Sequence, residues 1–396
     1  MNKTKELIKN CFFVSLLIIY STTCLASCTS SNDSTEQAQI SALVEQIWTL
    51  SQNRPNGFTL DLRTMTEPTE GISAAYIETM NSCSHKQLED VVRHAMHHDC
   101  HVGGWLDLRD SIYYFDSVRL FPESSLKEAI QFGKENDQHS IYILSSQSLV
   151  PMDGTIARIV NRDTIYIGTT GDYRPLTFRE PSTGEHWGFA IELSQEIANR
   201  MGVNIVFVGT SWPTLTSDVL AEPQMFDFAI GGITITDTRR ETMDMSDGYL
   251  GNGKTILCRA TEADRYQSLA DIDKPEVRVM VNPGGLNEKF ANENLTQATI
   301  TVHPRNEEIP SLIAEGQADI MITEITEAPY YVQTDSRLAA PLLNKPFTRG
   351  QIGVLMRKGQ EDLLQMINNI LRLLKEDDTL RRLHEKYGLV YTPSNH

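Results

Sequence analysis

Five of the ten histidines fall within 17 residues of one another, namely His85, His94, His97, His98 and His101. If this segment is a helix, His94 shares a face with His97 or His98, and zinc sites use this spacing of three or four residues. No carboxylate or cysteine nearby follows a recognisable ligand spacing. Zinc binding therefore stays an open alternative, but we interpret these histidines as a solvated helix end and predict no metal site.

The N-terminus carries the pattern of a secretion signal. Three lysines within the first nine residues precede an uncharged run from Cys11 to Ala26, which is shorter than the roughly 20 residues of a membrane-spanning helix. The run ends in Leu25-Ala26-Ser27-Cys28, which resembles the cleavage box of bacterial lipoproteins. The resemblance implies a signal peptide over residues 1–27, a lipid on Cys28 and a polar tether over 28–40.

A lipid on Cys28 predicts anchoring at the periplasmic side of a bacterial cell envelope. Thr29 follows the cysteine, where an aspartate would in many bacteria favour the inner membrane, so we expect the outer membrane. Because that compartment is oxidising, Cys83 and Cys100 could form a disulfide, while Cys258 remains.

Length and charge narrow the classes of protein. The chain has 396 residues, enough for two or three domains, and 35 Lys and Arg against 52 Asp and Glu give a net charge of −17. No stretch concentrates basic residues into a stripe, so nucleic acid is not expected as a partner.

Residues 41–150 predict a small α+β domain. Its pattern alternates helices and strands with a Gly103-Gly104-Trp105 turn in the middle, and residues 151–163 read as a linker. From Thr164 to about residue 390, apolar strands such as Ile165–Thr169 and Asp319–Thr323 alternate with helical patterns. This alternation predicts an α/β fold with parallel sheets and a ligand site at the carboxyl ends of the strands.

Several motifs in residues 163–390 resemble the family 3 periplasmic solute-binding proteins. They are Gly188-Phe189, Gly232-Ile233-Thr234-Ile235-Thr236, Arg239, Asp244-Met245-Ser246 and Gly316-Gln317-Ala318-Asp319. The resemblance implies two α/β lobes around a ligand cleft, with lobe 1 formed by 164–257 and 346–390 and lobe 2 by 259–343. Arg239 matches the family arginine that pairs with a ligand carboxylate, although it could instead pair with Asp244 or Glu241.

A narrower resemblance is to the cyclohexadienyl dehydratases of this family. It is carried by Thr169 to Pro175, Thr210 to Leu215, Gly253-Lys254-Thr255 and Val281 to Glu288. Those enzymes convert prephenate or arogenate to phenylpyruvate or phenylalanine, without a cofactor. The resemblance implies that Glu327 is the catalytic acid, with Glu324 where an aspartate is usual.

The other expected site residues have roles that their chemistry suits. Lys254 and Arg239 can anchor carboxylates, and the Gly284-Gly285 turn before a helix can offer backbone N–H groups to an anion. Tyr173 and Trp212 can form aromatic walls that exclude water. Thr234 and Asn287 complete the expected ligand-binding set.

Three residues depart from the dehydratase pattern. Leu286 replaces a threonine, and Ala328-Pro329 follow Glu327 where a threonine and an arginine are usual. We favour a lipid-anchored dehydratase. A binding lipoprotein for an amino acid or related carboxylate, working with an ABC permease, and an interaction or toxin-related module built on 41–150 remain alternatives.

Overall fold

The structure is a computed structural model that describes residues 25–108 and 110–391, with side chains from residue 34 onward. It separates into two compact units. The first contains residues up to Thr69 together with Ser73–Leu120, and the second contains Glu70–Ile72 and everything from Phe121. Residues 1–24 of the predicted signal peptide lie outside the described residues, and so does the side chain of Cys28. None of the described helices is long and apolar enough to cross a membrane.

The first unit is a small α+β structure. Its elements are α1 (Leu25–Ser51), β1 (Phe58–Asp61), β2 (Ile72–Ala75), α2 (His85–His97), β3 (His101–Asp107) and β4 (Ile112–Phe121). Strands β1, β3 and β4 pair antiparallel in that order. Helices α1 and α2 bury one apolar face each, at spacings of three and four residues, and these faces form the core with the sheet.

Residues 28–40, the predicted tether, lie within helix α1. Two other expectations for this unit change. Gly103 and Gly104 lie inside strand β3, where a Cβ on Gly104 would come within 2.6 Å of the Phe58 ring, so the glycines admit a neighbouring side chain and make no turn. Cys83 and Cys100 are free thiols, because the 13-residue helix α2 separates them by about 20 Å, far beyond the reach of a disulfide.

The second unit begins with residues that were expected to belong to the small domain and the linker. Its first elements are α3 (Leu126–Glu135), β5 (Ser140–Ile143), β6 (Ser148–Pro151) and α4 (Thr155–Asn161). Helix α4 occupies the predicted linker and buries Ile156 and Ile159 completely. Its first turn is held by Asp362, whose carboxylate accepts the N–H of Ile156 at 2.8 Å. The apolar positions of α4 therefore belong to a core.

Lobe 1 of the two-lobed fold follows directly. Its elements are β7 (Thr164–Thr169), β8 (Asp172–Tyr173), β9 (Thr177–Arg179), β10 (His186–Trp187), α5 (Phe189–Met201), β11 (Asn204–Gly209), α6 (Leu215–Val219), β12 (Phe228–Ala229), α7 (Asp237–Thr242) and β13 (Met243–Met245). The chain leaves through β14 (Leu250–Asn252). The sheet order is β11-β7-β12, completed by a returning strand β21 (Leu355–Arg357) and by β13.

Lobe 2 has the same architecture. Its elements are β15 (Lys254–Arg259), α8 (Leu269–Ile272), β16 (Arg278–Val281), α9 (Leu286–Asn294), β17 (Thr299–Val302), α10 (Ile309–Ala314), β18 (Ile320–Glu324), α11 (Ala328–Thr334) and β19 (Leu338–Ala339). The chain then returns to lobe 1 through β20 (Gly350–Ile352), β21 (Leu355–Arg357), α12 (Glu361–Glu376) and α13 (Thr379–Lys386). The lobe 2 sheet order is β17-β16-β18-β15-β19.

The crossover differs from the expected one in two respects. Strand β15 pairs with β18 of lobe 2, so lobe 2 begins at Lys254 and the predicted boundary at 257–259 is too late. The two-stranded ladder of β14 and β20 joins the lobes. Each lobe sheet has three parallel strands, but the strands next to the crossover run antiparallel, so the sheets are mixed.

Asp319 ties two strands of lobe 2 together and gives the first testable expectation. Its carboxylate accepts from the backbone N–H of Arg278 at 2.9 Å and from the guanidinium of Arg259 at 2.8 Å. Burial raises the pKa of Asp319, but the hydrogen bonds from Arg278 and Arg259 outweigh it and lower the pKa to about 2. Asp319→Asn should therefore lower the free energy of unfolding at pH 7 by about 1–3 kcal/mol, as urea unfolding would measure.

The pH dependence has a definite sign. Because the folded pKa is lowered, the contribution of Asp319 is present above the pKa of the unfolded chain and is lost as pH falls through about 2. The gap in stability between wild type and Asp319→Asn should narrow as pH falls below about 4. A control, Asp335→Asn, removes an exposed pair with Arg337 and should cost less. A gap that is constant with pH would contradict the assignment.

Candidate functional site

A small cavity lies between the two lobes, at the carboxyl ends of strands β7, β12, β16 and β18. Its volume is about 20 Å³, room for about one water molecule and far below the roughly 300–1,000 Å³ that is typical of small-molecule sites, so the lobes must part to admit a ligand. The lining residues are Tyr173, Trp212, Gly232, Thr234, Arg239, Lys254, Asn282, Gly285, Leu286, Asn287 and Glu324. Eight of the ten expected catalytic and ligand-binding residues are among them, and Gly284 and Glu327 are not.

Lys254 and Glu324 form a buried ion pair on one wall. They are direct neighbours across strands β15 and β18, and the Lys254 Nζ lies 2.5 Å from Glu324 Oε1. The same Nζ donates to Asn287 Oδ1 at 2.6 Å, and the hydroxyl of Tyr173 donates to Glu324 Oε2. Burial raises the pKa of Glu324, but the charge and hydrogen bond of Lys254, with the Tyr173 hydroxyl, outweigh it, so the pKa is lowered. Glu324 is therefore an ionised carboxylate.

Arg239 presents a cation to the cavity. The side chain of Thr236 caps helix α7 by accepting the N–H of Arg239 at 3.2 Å, and Arg239 Nη1 donates to the carbonyl of Thr234 at 2.5 Å. Within the described part of the chain, this guanidinium takes part in no ion pair, and Asp244 instead accepts the N–H of Gly359. Burial lowers the pKa of Arg239, and Glu324 opposes that shift. The remaining N–H groups can take a ligand carboxylate.

Tyr173 and Trp212 form the aromatic wall. Their ring centroids lie 5.7 Å apart at 67°, and Trp212 Nε1 donates to Asp172 Oδ1 at 3.1 Å. Gly232 has a φ of +79°, and a Cβ there would lie 2.9 Å from the Tyr173 ring. Glycine at this position therefore allows the ring to reach across to Glu324.

Glu327 is a buried carboxyl that accepts hydrogen bonds from two neutral side chains. Thr323 Oγ1 donates to Glu327 Oε2 at 2.5 Å, and Asn306 Nδ2 donates to Oε1 at 2.8 Å. Burial raises the pKa to about 8, with Glu324 and Asp172 adding to the shift and the two hydrogen bonds opposing it. Glu327 is therefore mostly protonated at neutral pH, whereas Glu324 is charged.

Gly284 serves a contact between the lobes and offers no free N–H to a ligand. Its φ is +71°, and a Cβ would come within 2.6 Å of Pro213 Cα in lobe 1. Its N–H donates to Glu288 Oε2 at 2.6 Å, so an anion could take this N–H only in place of the Glu288 carboxylate, and the expected anion site stays a prediction. Gly285, as the N-cap of helix α9, does line the cavity.

Sequence reasoning did not single out Gly232, Asn282 and Leu286 as site residues, nor Asn306 beside Glu327. Asn282 had a usable signal, since it follows a buried strand and precedes the Gly-Gly turn. Asn306 had none, because it lies in an irregular polar segment that only the fold brings to Glu327.

The histidine segment of the first unit forms a packed cluster. His94 and His98 stack with centroids 3.9 Å apart, and His98 Nδ1 lies 2.8 Å from the carbonyl oxygen of His94. Among the residues that the structure describes, no three His, Cys, Asp or Glu side chains are grouped as metal ligands would be.

The fold and cavity define a two-lobed solute-binding protein. Residues 165–390 match the model of the bacterial extracellular solute-binding proteins, family 3, and the chain belongs to that family.

Individual relatives include both an enzyme and receptors. Cyclohexadienyl dehydratase of Pseudomonas aeruginosa is 34% identical over 254 residues, which cover 64% of this chain and 93% of that protein. The L-cystine-binding protein TcyJ of Escherichia coli is 25% identical over 236 residues, covering 59% and 86%. The crystal structure of the ancestral amino acid-binding protein AncCDT-1, a precursor of cyclohexadienyl dehydratase, matches with a TM-score of 0.54 and 34% identity, covering 59% and 99%.

Proposed function

We propose that the protein is a cyclohexadienyl dehydratase that acts on prephenate or arogenate. The observation that carries this proposal is Glu327, a fully buried carboxyl with a pKa of about 8 and no cationic partner in the described chain. A carboxylic acid that stays protonated near neutral pH is what a leaving hydroxyl requires. The similarity to the Pseudomonas aeruginosa enzyme supports the same reaction.

The reaction balances with the groups present. The bond between the ring and its carboxylate breaks, CO₂ leaves, and its electron pair enters the ring as the ring becomes aromatic. The ring hydroxyl leaves as water with the proton of Glu327, which solvent must later replace. Arg239 would hold the side-chain carboxylate, and Tyr173 and Trp212 would exclude bulk water. Since Glu327 does not line the cavity of the ligand-free protein, the substrate must bring it into contact, as catalytic hydrogen bonds often tighten on binding.

The second candidate is a binding lipoprotein for an amino acid or related carboxylate. It is favoured by Leu286, which lines the cavity without offering a hydroxyl to a second ligand carboxylate. One observation speaks against a receptor. A receptor needs a free carboxylate for the ligand ammonium, whereas Glu324 is already held by Lys254 and Tyr173. Under this reading an ABC permease would be the partner.

Turnover of prephenate separates the two candidates. The purified protein is incubated with prephenate, and phenylpyruvate is followed by its absorbance, with arogenate and phenylalanine as the parallel pair. Appearance of product above the spontaneous rate supports the enzyme. No product, together with tight amino-acid binding in calorimetry, would support the receptor.

The pH dependence of turnover gives a further expectation. Only protonated Glu327 can donate, and its raised pKa keeps it protonated below about 8. Turnover should therefore fall as pH rises through about 8, with kcat measured at saturating prephenate across the range. A kcat that increases above that pH would exclude Glu327 as the donor.

We further propose that Cys28 carries a lipid that anchors the protein at the periplasmic side of the envelope, in the outer membrane. Cys28→Ser should move the protein from the membrane fraction to the soluble fraction on cell fractionation. The control is Cys83→Ser, which removes an exposed thiol and should leave the distribution unchanged. Membrane association that survives Cys28→Ser would show another anchor.

A further inference from the structure

The side chain of Asn306 contacts groups of both lobes. It is 1% exposed, and its Nδ2 donates to the carbonyl of Asp172 in lobe 1 at 3.2 Å and to Glu327 Oε1 in lobe 2 at 2.8 Å. A backbone carbonyl can only accept, so the amide nitrogen must face it. Each of the two amide hydrogens then makes one hydrogen bond, one to lobe 1 and the other to lobe 2.

The carboxyl of Glu327 is held at both oxygens. Oε1 accepts from the Asn306 amide at 2.8 Å, and Oε2 accepts from the hydroxyl of Thr323 at 2.5 Å. Asn306 thus orients the acid as well as holding it.

Lobe 1 contributes much of the environment of Glu327. The ionisable groups that act on Glu327 or on its neighbours are Glu324 and Tyr331 of lobe 2, Asp172, Tyr173 and Arg174 of lobe 1, and Glu307 beside Asn306. Opening the lobes would remove Asp172 and Tyr173 and admit water. The hydrated carboxyl would then ionise as an ordinary glutamate does.

We propose that Asn306 is a positioning residue through which closure of the lobes prepares Glu327 as a proton donor. This inference rests on the proposed function, because only an enzyme needs the donor. The acid then forms only when the lobes are closed. Asp172, whose carbonyl orients the amide, is the lobe 1 residue that makes the link.

The test measures the titration of Glu327 directly, by carbon-13 NMR of protein labelled at its glutamate carboxyls, with Glu327→Gln to assign the signal. Gly284→Ala places a methyl group against the backbone of Pro213 and wedges the lobes apart. We expect the acid dissociation constant of Glu327 to rise at least about 10-fold in this variant, because water replaces lobe 1. If Gly284→Ala does not fold, Tyr173→Phe removes the other hydrogen bond across the cleft, to Glu324.

A matched control separates backbone strain from the wedge. Gly202 has a φ of +67° and open space where a Cβ would stand, so Gly202→Ala imposes similar strain without touching the cleft. It should leave the titration of Glu327 unchanged. An unchanged titration in the wedged variant too would overturn the link to closure.

Asn306→Ala should move the titration in the opposite direction. The lobes keep their other contacts, and Glu327 loses a donor that stabilises its ionised form, so its acid dissociation constant should fall by about 10-fold. Turnover should show a lower kcat at nearly constant KM, and the pH at which it is lost should rise. An unchanged titration would overturn the role of Asn306.

The NMR measurement needs no substrate, so the two ideas can fail separately. Without turnover of prephenate by the wild type, the proposed function fails even if both shifts occur. With turnover but without the shifts, only the coupling through Asn306 fails.

Discussion

Glu327→Gln should lower turnover of prephenate by about 100- to 10,000-fold, the usual worth of a positioned general acid. Glutamine keeps the shape and can still accept from Asn306, but it has no proton to deliver. Binding should change little, because Glu327 does not line the cavity. Stopped-time assays of phenylpyruvate and calorimetry with a product or substrate analogue measure the two effects separately.

A control for this variant is Glu293→Gln, an exposed glutamate on helix α9 whose nearest cation is Lys289. Its turnover should match that of the wild type. Equal rates for Glu327→Gln and wild type would exclude Glu327 as the acid and move the assignment to Glu324 or another group. A receptor would show no turnover in either protein.

Arg239→Ala should abolish capture of the carboxylate ligand while leaving the fold intact. Loss of a charge-assisted pair in an enclosed cleft should weaken binding by about 2–5 kcal/mol, which corresponds to roughly 30- to 4,000-fold in Kd. Calorimetry with prephenate or the tightest amino-acid ligand measures this, and thermal unfolding checks the fold.

The next residue along helix α7 gives the matched control. Arg240 is exposed, so Arg240→Ala removes the same charge from the same helix without touching the cavity. Its affinity should stay near that of the wild type. Unchanged affinity in Arg239→Ala would mean that the ligand carboxylate is held elsewhere, with Lys254 as the next candidate.

Local sequence patterns were enough to predict many of the helices and strands. Strand β4 covers Ile112–Phe121, a run rich in aromatic and β-branched residues, and helix α2 covers His85–His97 with a Ser84 cap, so the sequence shows a local pattern for each. The prediction of a turn at Gly103 and Gly104 was wrong, because a glycine inside a strand can also mark a close approach of a neighbouring group. The sequence did not reveal the position of Phe58, which lies 46 residues before Gly104.

Motifs in the sequence were enough to predict most of the site residues. They could not predict which of these residues contact each other. That Lys254 faces Glu324 depends on the register of β15 against β18, two strands 70 residues apart in sequence. A one-residue slip would send either side chain to the other face of the sheet. The boundary of lobe 2 at Lys254 depends on the same register.

The ion pair of Lys254 and Glu324 affects which net charge a ligand in the cavity should have. Among the charged side chains that line it, these two cancel, so Arg239 alone sets a net charge of +1. A monoanion brings the enclosed space to neutrality. A ligand with a net positive charge would raise the charge of the lining to +2, which the low dielectric of a closed cleft makes costly. We therefore expect this lining to prefer ligands with a net charge of −1 over basic ligands.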